Sequence, residues 1–561
     1  MFRLAERPGR TAMDEHDAAM EEPPVPNSVD NATPEVLIRI AREGERHVES
    51  LRAAVSAGDY RAAVDVICRG WFELLGQQPA TQQILSTVPT QIVMAQPLLA
   101  TFLGLTYFVS PFQRGRALRL LVTAVRAARS ENREVDMVDR ALIRTGEAVA
   151  FRLLGLSDRG VPAAREALRM LDDLDETGRA KIGQLTRVYA HLGTTLHAAG
   201  RVEEAMAAYE RGLAEGPPDS PSPGFGNLAM LAGLHALRGD LPEAEAHLEY
   251  ARTGGWTDLQ RSMYAGTFYR VAEAVAALER FDAETARQHL GAMVHDRRTI
   301  EHWAAIAQIE AWTGLVAGRP GDALARLEEI VAARGAEARS RVARRQLCGA
   351  RVLVQLALGN VDAAAALLRH DGGRGADVRV HRARIDLVMG RNGSALAEVR
   401  ALAGAHLSAR LRAEALAIET AVHLRLPHSV RAPHLSQQLG ALLTSTRQRL
   451  PLALIPADDL ERVIAALDAA GYGELVRAVP LRSVLAPMGS QPGLTRRELE
   501  VLAELVHTSS APAIAAALHV SPNTVKTQLK SVYRKLGVNS REDAVAVALA
   551  LHLISDDRRV D

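Results

Sequence analysis

Apolar residues recur every three or four positions along most of the chain, the spacing that places them on one face of an α-helix. The first such pattern follows Thr33 and Pro34, a capping residue and a proline at the first helical position, and the patterns continue to about residue 477. No βα alternation of the kind that builds a parallel sheet interrupts them. Alanine, leucine and arginine dominate, and aromatic residues make up only 4% of the chain. Because this composition favours helices over sheets, the sequence predicts an all-α fold.

A pair of helices joined by a short glycine-containing turn recurs through the middle of the chain. Residues 190–218 show it best, with an apolar helix, a turn at Gly200 and Arg201, a second helix and a stop at two prolines. The small residue near the start of each second helix is Ala164, Ala205, Ala244, Ala286, Ala323, Ala364 and Ala395, at intervals of 41, 39, 42, 37, 41 and 31 residues. Alanine at a crossing lets two helices approach closely, and glycine supplies the left-handed backbone that ends the first helix. The spacing predicts helix pairs stacked as an α-solenoid.

These pairs resemble tetratricopeptide repeats, whose glycine, alanine and aromatic positions are best matched by Gly200, Ala205 and Tyr209. We therefore expect a tetratricopeptide-like α-solenoid over residues 34–479, with a sensing or interaction role. Residues 1–33 are charged and then proline-rich, which predicts a disordered tail. Residues 480–493 carry several proline and glycine breaks, which predict a linker.

The segment 494–555 is organised differently, as four short helices followed by a tail at 556–561. We expect Thr495 to cap the first helix and the second to begin near Ser510. A turn of three residues then leads to a third helix, capped by Ser521 and with Pro522 at its first position. Two helices joined by so short a turn predict a helix-turn-helix.

Charge is unevenly distributed. The whole chain has 67 Lys and Arg against 66 Asp and Glu, so any binding of a nucleic acid requires a local basic patch. Residues 505–541 contain five Lys or Arg and no Asp or Glu, and three of the four lysines in the chain, Lys526, Lys530 and Lys535, lie within ten positions. A charge run is usually only a solvated helix face, but the absence of acids beside a helix-turn-helix favours a surface that faces DNA phosphates.

A specific set of positions in this segment carries a family resemblance. They are Leu494-Thr495, Glu498-Leu499-Glu500-Val501-Leu502, Ile514-Ala515, Leu518, Val520-Ser521, Thr524-Val525-Lys526, Lys535-Leu536-Gly537-Val538, Arg541 and Ala544. With them the segment resembles the LuxR-type helix-turn-helix, the DNA-binding module of many bacterial response regulators and quorum sensors. The sequence departs from that pattern at Thr508, Ala511, Pro512 and Ala513, near the start of the second helix, and at Gln528, where histidine is common.

The resemblance implies which side chains meet DNA. The positions of Lys526, Thr527 and Lys530 face base edges in that family, and the position of Thr524 contacts phosphate. Together with the helix pattern, it leads us to expect DNA backbone contacts from Thr495, Ser521, Thr524, Gln528, Arg534 and Lys535.

Residues 61–125 look like the beginning of the helical sensor domain in the large ATP-dependent LuxR regulators of the maltose-activator type. No phosphate-binding G-x-x-x-x-G-K-[ST] motif occurs, so we expect the ATPase domain of those proteins to be absent. A βα-alternating receiver domain is also not expected.

Other classes of function find little support in the sequence. Prolines break the uncharged stretch 74–113 into pieces too short for a bilayer, and no export signal is evident, so we expect a cytoplasmic protein without membrane segments. Cys68 and Cys348 stand alone in the sequence, so we expect neither a disulfide framework nor a structural zinc site. The histidines show no ligand spacing on one helical face and no catalytic motif is present. We expect no metal, no cofactor and no enzymatic activity.

The leading hypothesis is a transcriptional regulator that binds double-stranded DNA through the third helix of segment 494–555. Because one such module reads few base pairs, we expect a homodimer or higher oligomer on DNA, with a small-molecule or protein effector at the solenoid. The alternative is a helical-repeat adaptor or scaffold that acts mainly through protein–protein binding.

Overall fold

A computed structural model describes most of the chain. The described residues are 32–108, 113–129, 135–215, 224–293, 300–370, 375–486, 494, 496–508, 510–536, 538–550 and 553–554, without the side chains of 32–41, 496, 534, 535 and 550. Within these ranges all regular secondary structure is helical, which confirms the predicted all-α class.

In chain order, the helices of the described ranges are α1 (Ala32–Ser56), α2 (Tyr60–Arg69), α3 (Trp71–Gly76), α4 (Gln78–Ser86), α5 (Thr90–Ala95), α6 (Pro97–Phe108), α7 (Arg114–Arg129), α8 (Met137–Leu153), α9 (Ser157–Asp172), α10 (Glu176–Ala180), α11 (Leu185–Ala198), α12 (Val202–Ala214), α13 (Phe225–Arg238), α14 (Leu241–Thr253), α15 (Asp258–Ser262), α16 (Thr267–Glu279), α17 (Ala283–Gly291), α18 (Trp303–Val316), α19 (Pro320–Arg334), α20 (Arg341–Ala357), α21 (Val361–His370), α22 (Ala376–Val388), α23 (Asn392–Arg400), α24 (Ala409–Arg425), α25 (Ala432–Thr446), α26 (Leu450–Ala453), α27 (Ala457–Leu467), α28 (Gly473–Arg477), α29 (Arg496–His507), α30 (Ala511–Ala517), α31 (Pro522–Leu536) and α32 (Arg541–Ala550). A 3₁₀ turn at Tyr264–Gly266 and a π-helical turn at Asp468–Tyr472 complete the set.

The chain forms two compact units. The first unit lies within Met1–Leu228 and Ala251–Tyr264, and the second within Ala229–Tyr250 and Ala265–Asp561. In the first unit, α8 pairs with α9 and α11 with α12, while α6, α8 and α11 pack in succession. Every residue of α6 is buried, and its Phe102 meets Trp71 edge to face at 4.9 Å between ring centroids.

The second unit repeats the same connectivity. Helices α16, α18, α20, α22 and α24 pack one on the next, and each pairs with the helix that follows it in sequence. Such neighbour-to-neighbour packing of helix pairs is the arrangement of an α-solenoid, as the sequence predicted.

The predicted crossings between paired helices are confirmed. Each of the seven aligned alanines, from Ala164 to Ala395, is at most 3% exposed. The close approach is visible where a Cβ added to Gly193 would lie 2.6 Å from Tyr209 on the partner helix. The glycines of the turns also behave as expected, since Gly200 and its counterparts have φ near +70 to +86°. In the turn before α17, where no glycine is available, Phe281 itself adopts a φ of 60°.

Buried ion pairs tie distant helices of the second unit together, and the sequence did not predict them. Glu279, at the end of α16, accepts a hydrogen bond from Arg410 Nη2 at 2.9 Å and others from the backbone N–H groups of Arg449 and Leu450 at 2.5 and 2.8 Å. Glu279 is 2% exposed and Arg410 is 5% exposed. The carboxylate therefore neutralises a buried guanidinium and completes the beginning of α26 at the same time.

The first part of the predicted linker is bound to the repeats. Arg482 Nη2 donates to Val316 O at 2.6 Å, Val484 N to Ala453 O at 2.9 Å, and Ala486 N to Leu356 O at 3.3 Å. The chain is thus held to the second unit as far as Ala486. Beyond it, α32 packs against α19 of the repeats as well as against α29 and α31.

Candidate nucleic-acid interface

Helices α29 to α32 enclose a small apolar core. Its fully buried side chains come from all four helices and include Val501, Leu502, Leu505, Ile514, Val525, Val532, Leu536, Ala544, Val547 and Ala548. Along α31 the residues at 525, 532 and 536 are spaced as one helical stripe that faces the core. The opposite face of this helix therefore takes no part in the core. Burial raises the pKa of the Tyr533 phenol on the half-buried side of α31.

The turn between α30 and α31 is short and well capped. His519 adopts a φ of 53°, the left-handed conformation that lets the chain reverse after α30. Ser510 caps α30 by accepting a hydrogen bond from Ala513 N at 3.4 Å, and Ser521 caps α31 by accepting one from Thr524 N at 3.1 Å. Pro522 then occupies the first position of α31, where its missing N–H has no helical partner to lose. The predicted helix-turn-helix geometry is present.

The side chains predicted to meet base edges share one exposed face of α31. Lys526, Thr527 and Lys530 are all exposed, and the two lysines are one helical turn apart. The Thr527 hydroxyl donates to Asn523 O at 2.9 Å, so its methyl group and oxygen lone pairs remain for an external partner. The ammonium groups of the two lysines are the strongest donors on this face.

The residues predicted to contact the DNA backbone are placed less uniformly. Thr524 and Ser521 are exposed, and their hydroxyl groups lie 2.8 Å apart at the N-terminus of α31. Gln528 is half-buried. Thr495 and the side chains of Arg534 and Lys535 lie outside the described residues, although α31 includes positions 534 and 535.

Two polar contacts that the sequence did not reveal hold α31 and α32 against α29. Ser531 is half-buried and donates to Glu498 Oε1 at 2.7 Å. Glu498 is only 3% exposed. Arg541 donates from Nε and Nη2 to Leu505 O, at 3.1 and 2.9 Å, and so caps the C-terminal end of α29. Neither the pairing of Glu498 with Ser531 nor that of Arg541 with Leu505 follows from a pattern in the sequence.

Comparison with known proteins bears on this domain. Residues 492–548 match the family model described as bacterial regulatory proteins, luxR family. The spore germination protein GerE of Bacillus subtilis (strain 168) is 39% identical over 62 residues, which are 84% of that protein and 11% of this chain. The chain belongs to the luxR family of bacterial regulatory proteins.

Other luxR-family relatives match over the same small share of the chain. The probable transcriptional regulatory protein NarL of Mycobacterium tuberculosis (strain ATCC 25618 / H37Rv) is 46% identical over 74 residues, 13% of this chain and 33% of that protein. The transcriptional regulatory protein YdfI of Bacillus subtilis (strain 168) is 42% identical over 64 residues, 11% of this chain and 30% of that protein. The chain thus spans about a third of the length of these relatives. The similarity supports a DNA-binding domain of a luxR-family transcriptional regulator at α29–α32.

The luxR-family assignment does not extend to α1–α28, for which the tetratricopeptide and maltose-activator resemblances stay predictions. Among the described residues no helix is long and apolar enough to cross a membrane. Within the same ranges, no group of three or more His, Cys, Asp or Glu side chains is arranged to hold a metal ion.

Proposed function

We propose that the chain is a sequence-specific transcriptional regulator whose α31 enters the major groove of double-stranded DNA. The observation that carries this proposal is the exposed face formed by Lys526, Thr527 and Lys530 on a helix whose other face is fixed in the domain core. A major groove admits one α-helix, and lysine donates well to the O6 and N7 acceptors of guanine.

The remaining contacts in this proposal position the helix. The hydroxyl groups of Ser521 and Thr524 sit at the N-terminus of α31, where the helix dipole favours phosphate oxygens. Thr495, Gln528, Arg534 and Lys535 complete the proposed set of backbone contacts. Because the window from 505 to 541 contains no acid, no carboxylate of that segment opposes the approach of phosphate.

We further propose that two or more copies act together on DNA, because one module of this size reads few base pairs. The helical repeats are proposed to receive a ligand or a partner protein. The packing of α32 against α19 gives the repeats a direct contact with the DNA-binding domain.

The test is a selection of DNA sequences by the full-length protein, followed by fluorescence anisotropy with the selected sequence and a scrambled one. We expect Lys526→Ala to reduce the preference for the selected sequence by roughly 5- to 150-fold, from about 1–3 kcal/mol for a lost base contact. The matched control is Arg339→Ala, which removes one exposed positive charge from the repeats. Equal affinity of the unaltered protein for selected and scrambled DNA would refute sequence-specific recognition, and a cellular phenotype that survives deletion of residues 490–561 would favour the adaptor alternative.

A further inference from the structure

A cavity of about 760 Å³ lies in the first unit. It is bounded by α2, the junction of α5 and α6, the first turn of α8 and the end of α10. Its volume falls in the range of about 300–1,000 Å³ that small-molecule sites occupy, and it is far larger than a single ion needs. The residues that line it therefore indicate what kind of molecule it accepts.

One wall is a complete face of α2. Arg61, Val64, Asp65, Cys68 and Arg69 are spaced as a single helical stripe, and all of them line the cavity. Val64 and Cys68 are buried in the floor, while the three charged side chains are exposed. Arg69 Nε donates to the backbone O of Asp65 at 3.3 Å. Among the described residues neither Arg61 nor Arg69 forms an ion pair, so two guanidinium groups face the cavity without a carboxylate partner.

A second wall presents carboxylates from the first turn of α8. Asp136 is paired with Lys181 at 3.0 Å between Nζ and Oδ2, and this hydrogen bond lowers the pKa of Asp136. Asp139 has no such cation, and the hydrogen bond that it accepts in the described part of the chain comes from the Cys68 thiol, at 3.9 Å between Sγ and Oδ1. Burial, and then the negative charges of Asp136 and Asp65, raise the pKa of Asp139 to about 6. Among the described residues Asp139 forms no ion pair, although the charge of the nearby Lys181 lowers its pKa in part.

The lining as a whole is neutral and presents charged groups of both signs. Arg61, Arg69 and Lys181 oppose Asp65, Asp136 and Asp139, three positive groups against three negative ones. A simple anion is attracted by the arginines but repelled by the aspartates. A simple cation is attracted by the aspartates but repelled by the arginines. A molecule with one positive and one negative group satisfies both.

We infer that this cavity binds a small zwitterion of the amino-acid or short-peptide type, its ammonium group held by Asp139 and its carboxylate by Arg61 and Arg69. The inference deepens the proposed function, on which it rests for the role of the ligand as an effector. Lys181 and Asp136 satisfy each other and so frame the site rather than compete for the ligand.

The site predicts a pH dependence of ligand binding. Because the ammonium group needs an ionised Asp139, affinity falls as the pH is lowered through about 6. The other groups that face this carboxylate are Asp65 and Cys68 on α2, Asp136 on its own helix and Lys181 after α10. Burial raises the pKa of the Cys68 thiol, and the pKa of Asp136 is lowered, so neither changes its charge near pH 6.

The test uses the full chain and thermal-shift measurements with each common L-amino acid and with an unbiased tripeptide library. We expect at least one zwitterion to raise the melting temperature, and its N-acetylated and C-amidated forms to fail at the same concentration. By titration calorimetry, Asp139→Asn and Arg61→Gln each weaken binding of that zwitterion at least tenfold. The matched controls are Asp158→Asn and Arg159→Gln, exposed residues of α9 outside the cavity.

Three results would overturn the inference: no zwitterion shifts the melting temperature, the blocked forms bind as well as the free one, or Asp139→Asn binds with unchanged affinity. DNA anisotropy on the same preparations separates this inference from the proposed function. A protein that prefers its selected DNA but binds no zwitterion overturns the inference alone. A protein that binds a zwitterion but shows no DNA preference overturns the proposed function alone.

Discussion

The hydrogen bond between Ser531 and Glu498 allows a prediction about how α31, the proposed recognition helix, is held in its domain. Ser531 donates at 2.7 Å to a carboxylate that is 3% exposed, so water cannot easily replace it. Hydrogen bonds to charged groups contribute about 1.5–3 kcal/mol, and a buried acceptor that loses its donor costs a similar amount. Ser531→Ala is therefore expected to lower the local free energy of unfolding of α29–α32 by about 2 kcal/mol.

Hydrogen exchange measures this effect in the full chain. The four tryptophans, Trp71, Trp256, Trp303 and Trp312, all lie outside the luxR-type domain, so fluorescence reports poorly on it. Two kcal/mol corresponds to a roughly 30-fold increase in the opening equilibrium, which should appear as faster exchange of the amides in α29 and α31. Amides of the repeats should be unaffected.

A double-mutant cycle with Glu498→Gln isolates the interaction. The glutamine keeps the size of the side chain and removes its charge, so Ser531→Ala should cost only about 0.5–1 kcal/mol in that background. DNA affinity of Ser531→Ala should change little, because the exposed face of α31 is intact. Unchanged exchange in α29 and α31 together with a reduced salt dependence of DNA binding would refute this reasoning, since that pattern indicates a direct phosphate contact by Ser531.

Three further predictions follow from buried polar groups. Arg541→Lys should loosen the end of α29 by about 1–2 kcal/mol in hydrogen exchange, because lysine cannot donate twice to one carbonyl oxygen in the same geometry. Glu279→Ala should destabilise the second unit by about 3–5 kcal/mol, as it leaves the buried Arg410 without its carboxylate. Denaturant unfolding followed by fluorescence of Trp312, whose ring lies 5.0 Å from the Arg410 guanidinium, detects that loss. Because the pKa of Asp139 is raised to about 6 in the folded chain, the free energy of unfolding should fall as the pH rises from about 4 to 6. Asp139→Asn should remove this loss, and so stabilise the chain by up to about 3 kcal/mol at pH 7.5.

Each of these three has an outcome that contradicts it. Arg541→Lys with wild-type exchange in α29 means that the carbonyl is satisfied by water. Glu279→Ala with an unchanged denaturation midpoint means that the guanidinium is solvated in solution. For Asp139 the control is Asp158→Asn, and an identical pH dependence of stability in Asp139→Asn and the unaltered chain contradicts the raised pKa.

Features fixed by neighbours in sequence could be predicted, and those fixed by distant residues could not. The alanines at the crossings and the glycine turns follow from local sterics, and all seven alanines are buried as expected. The exposed face at Lys526, Thr527 and Lys530 follows from helical period once α31 is recognised.

Long-range polar contacts escaped the sequence analysis because no periodic pattern encodes them. Glu279 and Arg410 are 131 residues apart, and Arg482 donates to a carbonyl 166 residues earlier. The hydrogen bond from Ser531 to the buried Glu498 of α29, 33 residues away in the chain, is also a contact that helical period does not encode. The cavity of the first unit likewise arises from helices that are far apart in sequence and was not foreseen.

The anchoring of the chain at Ala486 limits how far the DNA-binding domain can travel. Eight residue steps separate Ala486 from Leu494, and at full extension they span about 28 Å. That is shorter than one helical turn of DNA, about 34 Å. If α32 separates from α19, the connection between Ala486 and Leu494 is still too short for the domain to reach a neighbouring half-site. If two copies act together on DNA as proposed, the spacing of their half-sites should therefore depend on how the repeats of the two copies are held together. Moving one half-site by a full helical turn should then weaken binding sharply.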